Sequence, residues 1–377
     1  MDSHPDPTPV FDSMDIDLLI KVLSHTVFSP FFVFFVPVFY FFQGAKLTDP
    51  IIVTSAVYYV VLCMIWFAKW SSRLWRNQGS LLFAPPRFDW GEQIVVITGG
   101  ASRSSLPGSN RASGVGELLA NTLAVRNVTV VVLDIKPIVT ENYNITYYKC
   151  DVSKWEEVEA VKQKIVEELG QPTILVNNAG VVQGKLITDL TPQDINQTFG
   201  VNTISHFLTL KAFLPEMIKN NAGHVITVSS CMGIAGVAQM TDYCASKAAL
   251  NVMHECLRYE LDKLHKAPGV RTTLICPGHI ETPLFSKMNY PKTPFHKFFM
   301  PTIAPIAVVK AIIQALDDQH SQTVHLPIYV SSMPYLQHLP SYLRDLAQWA
   351  SRGDYAMVGF KKSSGIREDE VESKKSE

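Results

Sequence analysis

The chain has 377 residues, of which 47% are hydrophobic and 18% are charged, and its formal net charge at pH 7 is −1. This length suits one large α/β domain with a smaller addition at one end. The near-zero charge excludes nucleic acid as a partner on electrostatic grounds. The six cysteines show no CxxC spacing, so no metal site is predicted, and a reduced domain is favoured over a disulfide framework.

Excess hydrophobicity is concentrated near the N-terminus. An acidic segment, residues 1–26, is followed by two uncharged apolar runs at residues 27–42 and 51–67. The second run reaches the lower limit of about 17 residues that can cross a bilayer. The first contains two prolines and is expected to be kinked or re-entrant. We therefore predict a membrane anchor over residues 27–67; a pair of buried core helices is the alternative.

Flanking charges predict the orientation of this anchor. Four basic residues follow the second run: Lys69, Arg73, Arg76 and Arg87. The positive-inside tendency places them, and the domain behind them, in the cytosol. The terminal KKSE places Lys374 and Lys375 as in a dilysine endoplasmic-reticulum retrieval signal, with chance in a lysine-rich tail as the alternative. We predict a location in the membrane of the endoplasmic reticulum or of a lipid droplet.

Residues 68–87, which end in a proline-rich stretch, are predicted to be a linker. Beyond them, apolar runs alternate with amphipathic stretches through residues 88–330. The predicted strands are 94–97, 128–133, 146–148, 174–176, 224–228 and 271–275, and the predicted helices are 117–125, 154–169, 191–199, 205–219, 243–263 and 305–316. This alternation predicts an α/β fold with a doubly wound parallel sheet. The crossover between residues 134 and 151 is too short for a full helix.

The C-terminal part is predicted to be a helical extension, residues 331–360, and a charged, disordered tail, residues 361–377. Six apolar side chains of the extension fall at helical intervals: Leu336, Leu339, Tyr342, Leu343, Leu346 and Trp349. Such a helix shields an apolar entrance or rests on a membrane. A helix packed against the domain is the alternative.

Short motifs follow the predicted strands in a fixed order. NNAG spans residues 177–180, VSS ends at Ser230, YCASK runs from Tyr243 to Lys247, and PG is followed by Thr282. In this order and spacing, the chain resembles the short-chain dehydrogenase/reductase family over about residues 88–355. It resembles in particular the membrane-anchored branch of retinol and hydroxysteroid dehydrogenases. The resemblance implies a Rossmann-type fold and a catalytic domain over residues 88–330, facing the cytosol.

The Tyr-x-x-x-Lys pattern carries the expected chemistry. Residues four apart on a helix share a face, so the Lys247 ammonium is expected near the Tyr243 phenol. Its charge is expected to lower the tyrosine pKa from about 10 towards neutrality, so that Tyr243 exchanges a proton with a substrate oxygen. Ser230 is expected to hydrogen-bond the same oxygen. The resemblance adds Asn202, which would position a water that links Lys247 to solvent; an ordinary surface helix is the alternative for the pattern alone.

Cofactor choice depends on Asp134, which ends the second strand. A carboxylate there accepts hydrogen bonds from the ribose of NAD and repels a 2′-phosphate. We predict NAD, with NADP left open because Lys136 follows; a turn residue before Pro137 is the alternative role of Asp134. The glycine-rich turn would contribute Gly99, Gly114 and Gly116. The resemblance adds further cofactor contacts from Asp151, Val152, Asn178, Ala179, Gly180, Tyr243, Lys247, Ile280 and Thr282.

An insertion interrupts the glycine-rich turn. Removing residues 103–113 restores the family's T-G-x-x-x-G-x-G pattern as TGGASGVG. A loop of this length has a small closure cost, because that cost grows only logarithmically with length. It nevertheless leaves the turn mobile where close approach to a pyrophosphate is required. A regulatory loop and a retained non-coding segment in the gene are both compatible with the pattern.

The resemblance implies an NAD(P)-dependent dehydrogenase/reductase that acts on the hydroxyl or carbonyl of a lipophilic substrate. Retinoids, steroids and long-chain lipid alcohols or ketones all fit. The alternative is a catalytically impaired membrane scaffold that keeps the fold but has lost cofactor binding through the insertion. The predicted partners are the lipophilic substrate and the membrane, and a homodimer is left open.

Deletion of residues 103–113 tests the role of the insertion. We expect the shortened chain to bind NAD more tightly, because an ordered turn loses less entropy on binding than a mobile one. The measurement is the NAD dissociation constant of both forms at two salt concentrations. Tighter, salt-sensitive binding by the longer form would instead show that Arg103 and Arg111 add charge-assisted bonds to phosphate.

Overall fold

The computed structural model describes residues 14–78, 89–101, 114–138, 142–285, 288–291 and 293–358. The insertion at residues 103–113, most of the second half of the predicted linker and the predicted tail with its dilysine pair lie outside the described residues.

Seven parallel strands form one sheet at the centre of the domain. They are β1 (Ile94–Thr98), β2 (Thr129–Asp134), β3 (Ile145–Lys149), β4 (Ile174–Asn177), β5 (Gly223–Val228), β6 (Val270–Pro277) and β7 (Gln322–Leu326). Their order is β3-β2-β1-β4-β5-β6-β7. The sheet begins with β1 in its middle. Strands β2 and β3 extend it to one edge, and β4 to β7 extend it to the other edge. This arrangement confirms the predicted doubly wound fold, and β7 is a strand that the sequence analysis missed.

Twelve α-helices are present among the described residues. They are α1 (Ile16–His25), α2 (Pro30–Phe42), α3 (Pro50–Asn77), α4 (Val115–Ala124), α5 (Trp155–Glu168), α6 (Pro192–Phe199), α7 (Ser205–Lys219), α8 (Thr241–Tyr259), α9 (Pro294–Phe299), α10 (Pro305–Asp318), α11 (Met333–Leu336) and α12 (Ser341–Ser351). A π-helical turn, Gly200–Ile204, joins α6 to α7. A second π-helical turn, Glu260–Leu264, follows α8.

The core has two layers, one on each face of the sheet. Along β2, Val130 and Val132 point to one face, where they pack with α4 and α10. Val131 and Leu133 point to the other face, where α5, α7 and α8 pack. Because both faces are buried, the strand needs apolar residues at every position, and this is the origin of the continuous apolar runs in the sequence.

The N-terminal helices project apolar side chains outwards. Helix α3 has 28 residues and a mean hydropathy of 2.2 over its most apolar window, of which only 11% is buried. It is long and apolar enough to cross a membrane; α1 and α2, bent by 53°, reach that length only as a pair. The Tyr58 hydroxyl and the Trp66 indole donate to the backbone carbonyls of Val27 and Phe28 at 2.9 and 3.1 Å. The alternative of buried core helices is therefore wrong.

Helix α3 continues beyond its apolar run and ends against the edge of the sheet. The side-chain oxygen of Asn77 accepts a hydrogen bond from the Ser321 backbone N–H at 2.6 Å, just before β7. The Arg271 guanidinium donates to the Asn77 carbonyl at 3.0 Å. At the opposite end of β7, the Asp17 carboxylate of α1 accepts from the Ile328 N–H at 2.9 Å. These contacts fix the N-terminal helices against both ends of the edge strand.

The C-terminal extension differs from the single helix that the apolar spacing predicted. It consists of two helices: α11 ends at Leu336 and α12 begins directly after Pro340, because a proline disfavours helical backbone at the residue before it. Helix α12 buries none of its residues and exposes Tyr342, Leu346 and Trp349. The other face of α12 contacts the domain, since Gln348 donates to the Gly236 carbonyl at 3.2 Å and the Ala350 carbonyl lies 3.1 Å from the His296 ring. Both predicted roles of this helix therefore stay predictions.

Candidate active site

The carboxyl ends of the central strands enclose the main cavity, of about 450 Å³. It lies where the strand order reverses between β1 and β4, which is the usual ligand site of open parallel sheets. Its walls come from the segments that follow β1, β2, β4, β5 and β6 and from the start of α8. The sheet therefore brings together residues that are far apart in the sequence.

Ser230, Tyr243 and Lys247 all line this cavity and are all buried. Ser230 follows β5, and its hydroxyl accepts a hydrogen bond from the Met232 N–H at 3.1 Å, which starts a short 3-10 turn. Helix α8 begins two residues before Tyr243, so the tyrosine and Lys247 occupy its first turns on the face towards β5. The structure thus places the three predicted catalytic side chains at one point.

The pKa of Tyr243 departs from the sequence expectation. Burial raises the pKa of its phenol above the usual value, and a hydrogen bond with the Ser230 side chain acts in the opposite direction. The expected lowering by Lys247 is wrong for this structure, because the lysine Nζ lies 5.8 Å from the centre of the phenol ring and is directed elsewhere. At neutral pH Tyr243 is therefore protonated and set to donate a proton.

The Lys247 ammonium is buried beside the end of β5. Its Nζ donates to the Val228 carbonyl at 2.8 Å. Burial lowers the pKa of Lys247 from 10.5 to about 8, because the charged form loses hydration. Lys247 can therefore gain and lose a proton near neutral pH, which an exposed lysine cannot.

Asn202 lies in the π-helical turn and does not line the cavity. Its amide accepts from the Val181 N–H at 2.7 Å and donates to the Val181 carbonyl at 2.9 Å. It also donates to the Ser246 hydroxyl at 3.0 Å. Asn202 therefore holds the segment after β4 against α8, and its link to solvent through a water stays a prediction.

The described ends of the glycine-rich turn, residues 99–101 and 114–116, pack closely against each other. Gly99 has a φ of +69°, and a Cβ there would lie 2.7 Å from the Ala179 Cα. A Cβ on Gly116 would lie 2.5 Å from the Gly99 carbonyl oxygen, so the start of α4 packs directly on the turn. Gly114 caps α4 without a side-chain hydrogen bond and lines the cavity. Free N–H groups at a helix start bind anions, so this wall suits a dinucleotide.

Asp134 lines the cavity and also hydrogen-bonds the backbone of the glycine-rich turn. Its two carboxylate oxygens accept from the backbone N–H groups of Ala101 and Lys136, at 2.9 and 3.0 Å. The bond to Ala101 fixes the glycine-rich turn directly before the insertion. The roles of turn residue and cofactor contact, which the sequence left as alternatives, are thus compatible.

The remaining predicted cofactor residues separate into two groups. Those that line the cavity are Asp151, Val152, Asn178, Ala179, Gly180, Ile280 and Thr282. Gly116 does not line it and instead supports Gly99 from behind. Asn178 also holds the turn, because its side-chain amide donates to the Gly99 carbonyl at 2.9 Å.

Sequence reasoning missed the apolar cluster around Tyr243. Val182, Met240 and Met357 are buried in this cluster, and Phe285 stands edge-on to the tyrosine ring at 6.1 Å. These residues lie in irregular segments, where no periodic pattern marks them. Met357, which follows α12, connects the C-terminal extension to the site. The wall next to Tyr243 is therefore hydrophobic.

A doubly wound parallel sheet with Ser, Tyr and Lys at its carboxyl edge defines an oxidoreductase of the dehydrogenase/reductase class. The chain belongs to the short-chain dehydrogenase family, whose family model matches residues 93–292. An uncharacterized oxidoreductase of Saccharomyces cerevisiae is 32% identical over 268 residues, covering 69% of this chain and 82% of that protein. This membership confirms the family that the motifs indicated.

Other relatives include the retinol dehydrogenase-like branch. Short-chain dehydrogenase/reductase family 16C member 6 of Bos taurus is 32% identical over 266 residues, covering 67% of this chain and 76% of that protein. Retinol dehydrogenase 10 of Homo sapiens is 38% identical over 175 residues, covering 46% of this chain and 50% of that protein. The aldohexose dehydrogenase of Thermoplasma acidophilum shares the fold, with a TM-score of 0.53 at 21% identity over 64% of this chain and 94% of that chain.

Tyr243→Phe removes one phenolic oxygen from the site. We expect turnover to fall by roughly 10²-fold or more while the protein stays folded, because proton transfer by a positioned group typically contributes about 10²–10⁴-fold. Tyr259→Phe is the matched control, since Tyr259 is an exposed tyrosine on the same helix. Turnover of the Tyr243 variant within a few-fold of wild type would remove Tyr243 from the acid–base role.

The lowered pKa of Lys247 predicts a pH dependence. Its ammonium is present below pH 8 and is lost as the pH rises through about 8. Reduction of a carbonyl consumes a proton, so the rate of reduction should fall over that range, whereas the oxidation of an alcohol should rise. The pH profiles of kcat/KM in both directions test this. Lys247→Arg, which stays charged and does not release its proton in this range, should reduce more slowly at every pH and should lack the fall near pH 8; a flat wild-type profile up to pH 10 would contradict the assignment.

Proposed function

We propose that the protein transfers a hydride between a nicotinamide cofactor and a lipophilic alcohol or its carbonyl at a membrane surface. One observation carries this proposal: Ser230, Tyr243 and Lys247 meet in a cavity with two unlike walls. One wall offers glycines and a helix start, which suit a dinucleotide. The other wall is apolar.

The chemistry divides between the cofactor and the protein. A bound nicotinamide would supply or accept the hydride. The hydroxyls of Ser230 and Tyr243 are placed to hydrogen-bond the same substrate oxygen and to stabilise its developing charge. In the direction of reduction, Tyr243 donates its proton to that oxygen. Lys247 then returns a proton to the tyrosine.

NAD is the proposed cofactor. Its pyrophosphate would face the start of α4 near Gly114, and its adenosine end would lie beside Asp134 and Asp151. Asp134 would repel the additional phosphate of NADP. Lys136 also lines this part of the cavity and keeps NADP as the second choice.

The substrate is proposed to be a retinoid, a steroid or a long-chain lipid. The apolar cluster around Tyr243, with Phe285 and Met357, gives little opportunity to hydrogen-bond a polar substrate. The name retinol dehydrogenase, carried by several relatives, supports the same substrate class. No relative named above, and no described residue, favours the scaffold alternative.

Anchoring in a membrane is proposed from the exposed apolar surface of α3. Helix α12 exposes Leu346 and Trp349, and Met357, which follows this helix, packs in the cluster around Tyr243. Both features favour an active site that faces lipid. The basic residues after the apolar run of α3 favour a cytosolic domain, and Lys374 and Lys375 favour the endoplasmic reticulum, with a lipid droplet as the second location.

A panel of substrates tests the proposed activity. Full-length protein in lipid nanodiscs is mixed with NADH or NADPH and with retinal, a steroid ketone, long-chain ketones, or short polar ketones as the matched control. We expect oxidation of NADH with a lipophilic carbonyl and a rise in unfolding temperature with NAD, because a ligand that binds the folded state stabilises it. Neither turnover nor stabilisation with either cofactor would favour the scaffold.

Alkaline carbonate extraction tests the anchor. The full-length chain should remain in the membrane pellet, because α3 has the length and hydropathy of an integral span. A chain that lacks residues 1–78 is the control and should be released. Recovery of the full-length protein in the supernatant would exclude an integral anchor.

A further inference from the structure

A second cavity, of about 340 Å³, lies at the edge of the sheet between α3, α10 and β7. Helix α3 contributes Arg73 and Asn77 to its wall, and α10 and residues 320–326 contribute the rest. None of the described residues lines both this cavity and the catalytic one. The hydride transfer proposed above makes no use of it.

This cavity is polar at one end and apolar at the other. In a strand–helix–strand unit the helix runs antiparallel to the strands, so the end of α10 lies beside the start of β7. Asp318 and His320 line the cavity at that end. Ala311, earlier in α10, and Leu326, at the end of β7, line the opposite end. A ligand that fills the cavity therefore combines a polar group with an apolar part.

Two opposite charges line the cavity without pairing. Arg73 on α3 and Asp318 on α10 form no ion pair with each other or with any other described residue. The preceding residue of α10 differs, since Asp317 pairs with Arg126 at 3.7 Å. The His320 ring also has no hydrogen-bond partner in the described part of the chain. These three groups are therefore available to a ligand that carries both a negative and a positive charge.

Hydrogen bonds fix the two charged walls relative to each other. The Asn77 side chain donates to the Arg73 carbonyl at 2.9 Å and accepts from the Ser321 N–H at 2.6 Å. It thus connects the last turn of α3 to the segment that carries His320 and follows Asp318. A site that is already ordered loses little entropy when it binds a ligand.

The polar end of the cavity attracts an anion. Burial lowers the pKa of His320, and the positive charges of Arg271 and Arg73 lower it further, whereas Asp318 acts in the opposite direction. The imidazole is therefore neutral at pH 7 and can donate one hydrogen bond. Arg271 does not line the cavity, but its guanidinium donates to the Asn77 carbonyl at 3.0 Å. Two cations and one anion thus act on His320, and their net field is positive.

The cavity lies close to the lipid if α3 spans a membrane as proposed. Arg73 follows Phe67, the last residue of the apolar run, by six residues, which is about 9 Å along a helix. The hydrocarbon core is about 30 Å thick and the whole bilayer about 40–45 Å, so each headgroup layer is roughly 5–8 Å deep. Arg73 would therefore lie at the outer surface of the headgroups. A phospholipid combines both charges with an apolar part at this depth.

We propose that this cavity binds the headgroup of a zwitterionic phospholipid. Its phosphate accepts charge-assisted hydrogen bonds from Arg73 and a further bond from His320. Its ammonium pairs with Asp318, and its glycerol end lies against the apolar end of the cavity. An anionic lipid without an ammonium would leave Asp318 unpaired and repelled by the phosphate. The proposal goes beyond the hydride transfer and rests only on the proposed membrane anchor.

Native mass spectrometry of the full-length protein tests the site. The protein is delipidated in detergent and then given dioleoyl phosphatidylethanolamine or dioleoyl phosphatidylglycerol at equal concentration. We expect one phosphatidylethanolamine to be retained per chain, and Arg73→Ala to weaken its binding by about tenfold or more, because a hydrogen bond to a charged group typically contributes that much. Asp318→Asn should weaken phosphatidylethanolamine but not phosphatidylglycerol, so that the preference between the two lipids disappears.

Arg76→Ala is the matched control. Arg76 is an exposed arginine in the last turn of the same helix, but it does not line the cavity, and its removal should leave lipid binding unchanged. Equal effects of the Arg73 and Arg76 variants, or equal retention of both lipids by the wild type, would overturn the proposal. Unfolding temperatures of the three variants within a few degrees of the wild type show that a loss of lipid is not a loss of fold.

Soluble phosphoethanolamine distinguishes a lipid from a free headgroup. It lacks the glycerol and acyl chains, so it should compete with the phospholipid only weakly. Competition at equal concentration would overturn the assignment to a lipid. The measurement needs no substrate and no cofactor, so an enzyme without any carbonyl substrate would refute only the hydride transfer. Release in the carbonate wash would refute the anchor, whereas a lost lipid preference would refute this site.

Discussion

The contact between the end of β5 and the start of α8 is the constraint on which the site depends. Gly233 lies so close to α8 that a Cβ there would be 2.8 Å from the Lys247 carbonyl. Asn251 donates to the Gly233 carbonyl at 3.0 Å, and Ser229 donates to Asn251 at 2.7 Å. These bonds fix the register between strand and helix. Ser230, Tyr243 and Lys247 therefore meet without any direct bond between the serine and the lysine.

The same contact explains the electrostatics. A buried ammonium is unfavourable unless a partner compensates its charge, and here the Val228 carbonyl does so only in part. Lys247 therefore has a pKa of about 8 in place of 10.5. A group with a pKa near the working pH can both accept and release a proton, as a proton carrier must. The neighbouring phenol is buried by the same packing, and its pKa moves upwards for the same reason. One packing arrangement thus shifts the pKa values of both groups to which we assign proton transfer, Tyr243 upwards and Lys247 downwards.

Much of the fold could be predicted because its signals are local. A strand that is buried on both faces has a continuous apolar run in its sequence. The spacing of Ser230, Tyr243 and Lys247 along the chain predicts that they form one site. The edge strand β7 was missed because it is short and partly exposed, so its sequence lacks such a run. The direction of the Tyr243 pKa was wrong because spacing shows which groups are neighbours, whereas burial depends on packing from distant segments. Pro340 itself indicated the end of a helix, but the helical spacing of the apolar side chains on both sides of it suggested one continuous helix.

The way in which α3 ends has a mechanical consequence. A helix of 28 residues is about 42 Å long, which exceeds the hydrocarbon core of about 30 Å. If α3 spans a membrane as proposed, its remainder would form a stiff stalk that is fastened to the sheet at Asn77, and helix geometry would set the height and rotation of the pocket above the lipid. Adding a single residue to the stalk would turn the domain by about 100° and lift it by about 1.5 Å. The enzyme proposed here would therefore sample the bilayer at one fixed depth, and it would select lipids by how far below the surface their oxygen lies as well as by their shape.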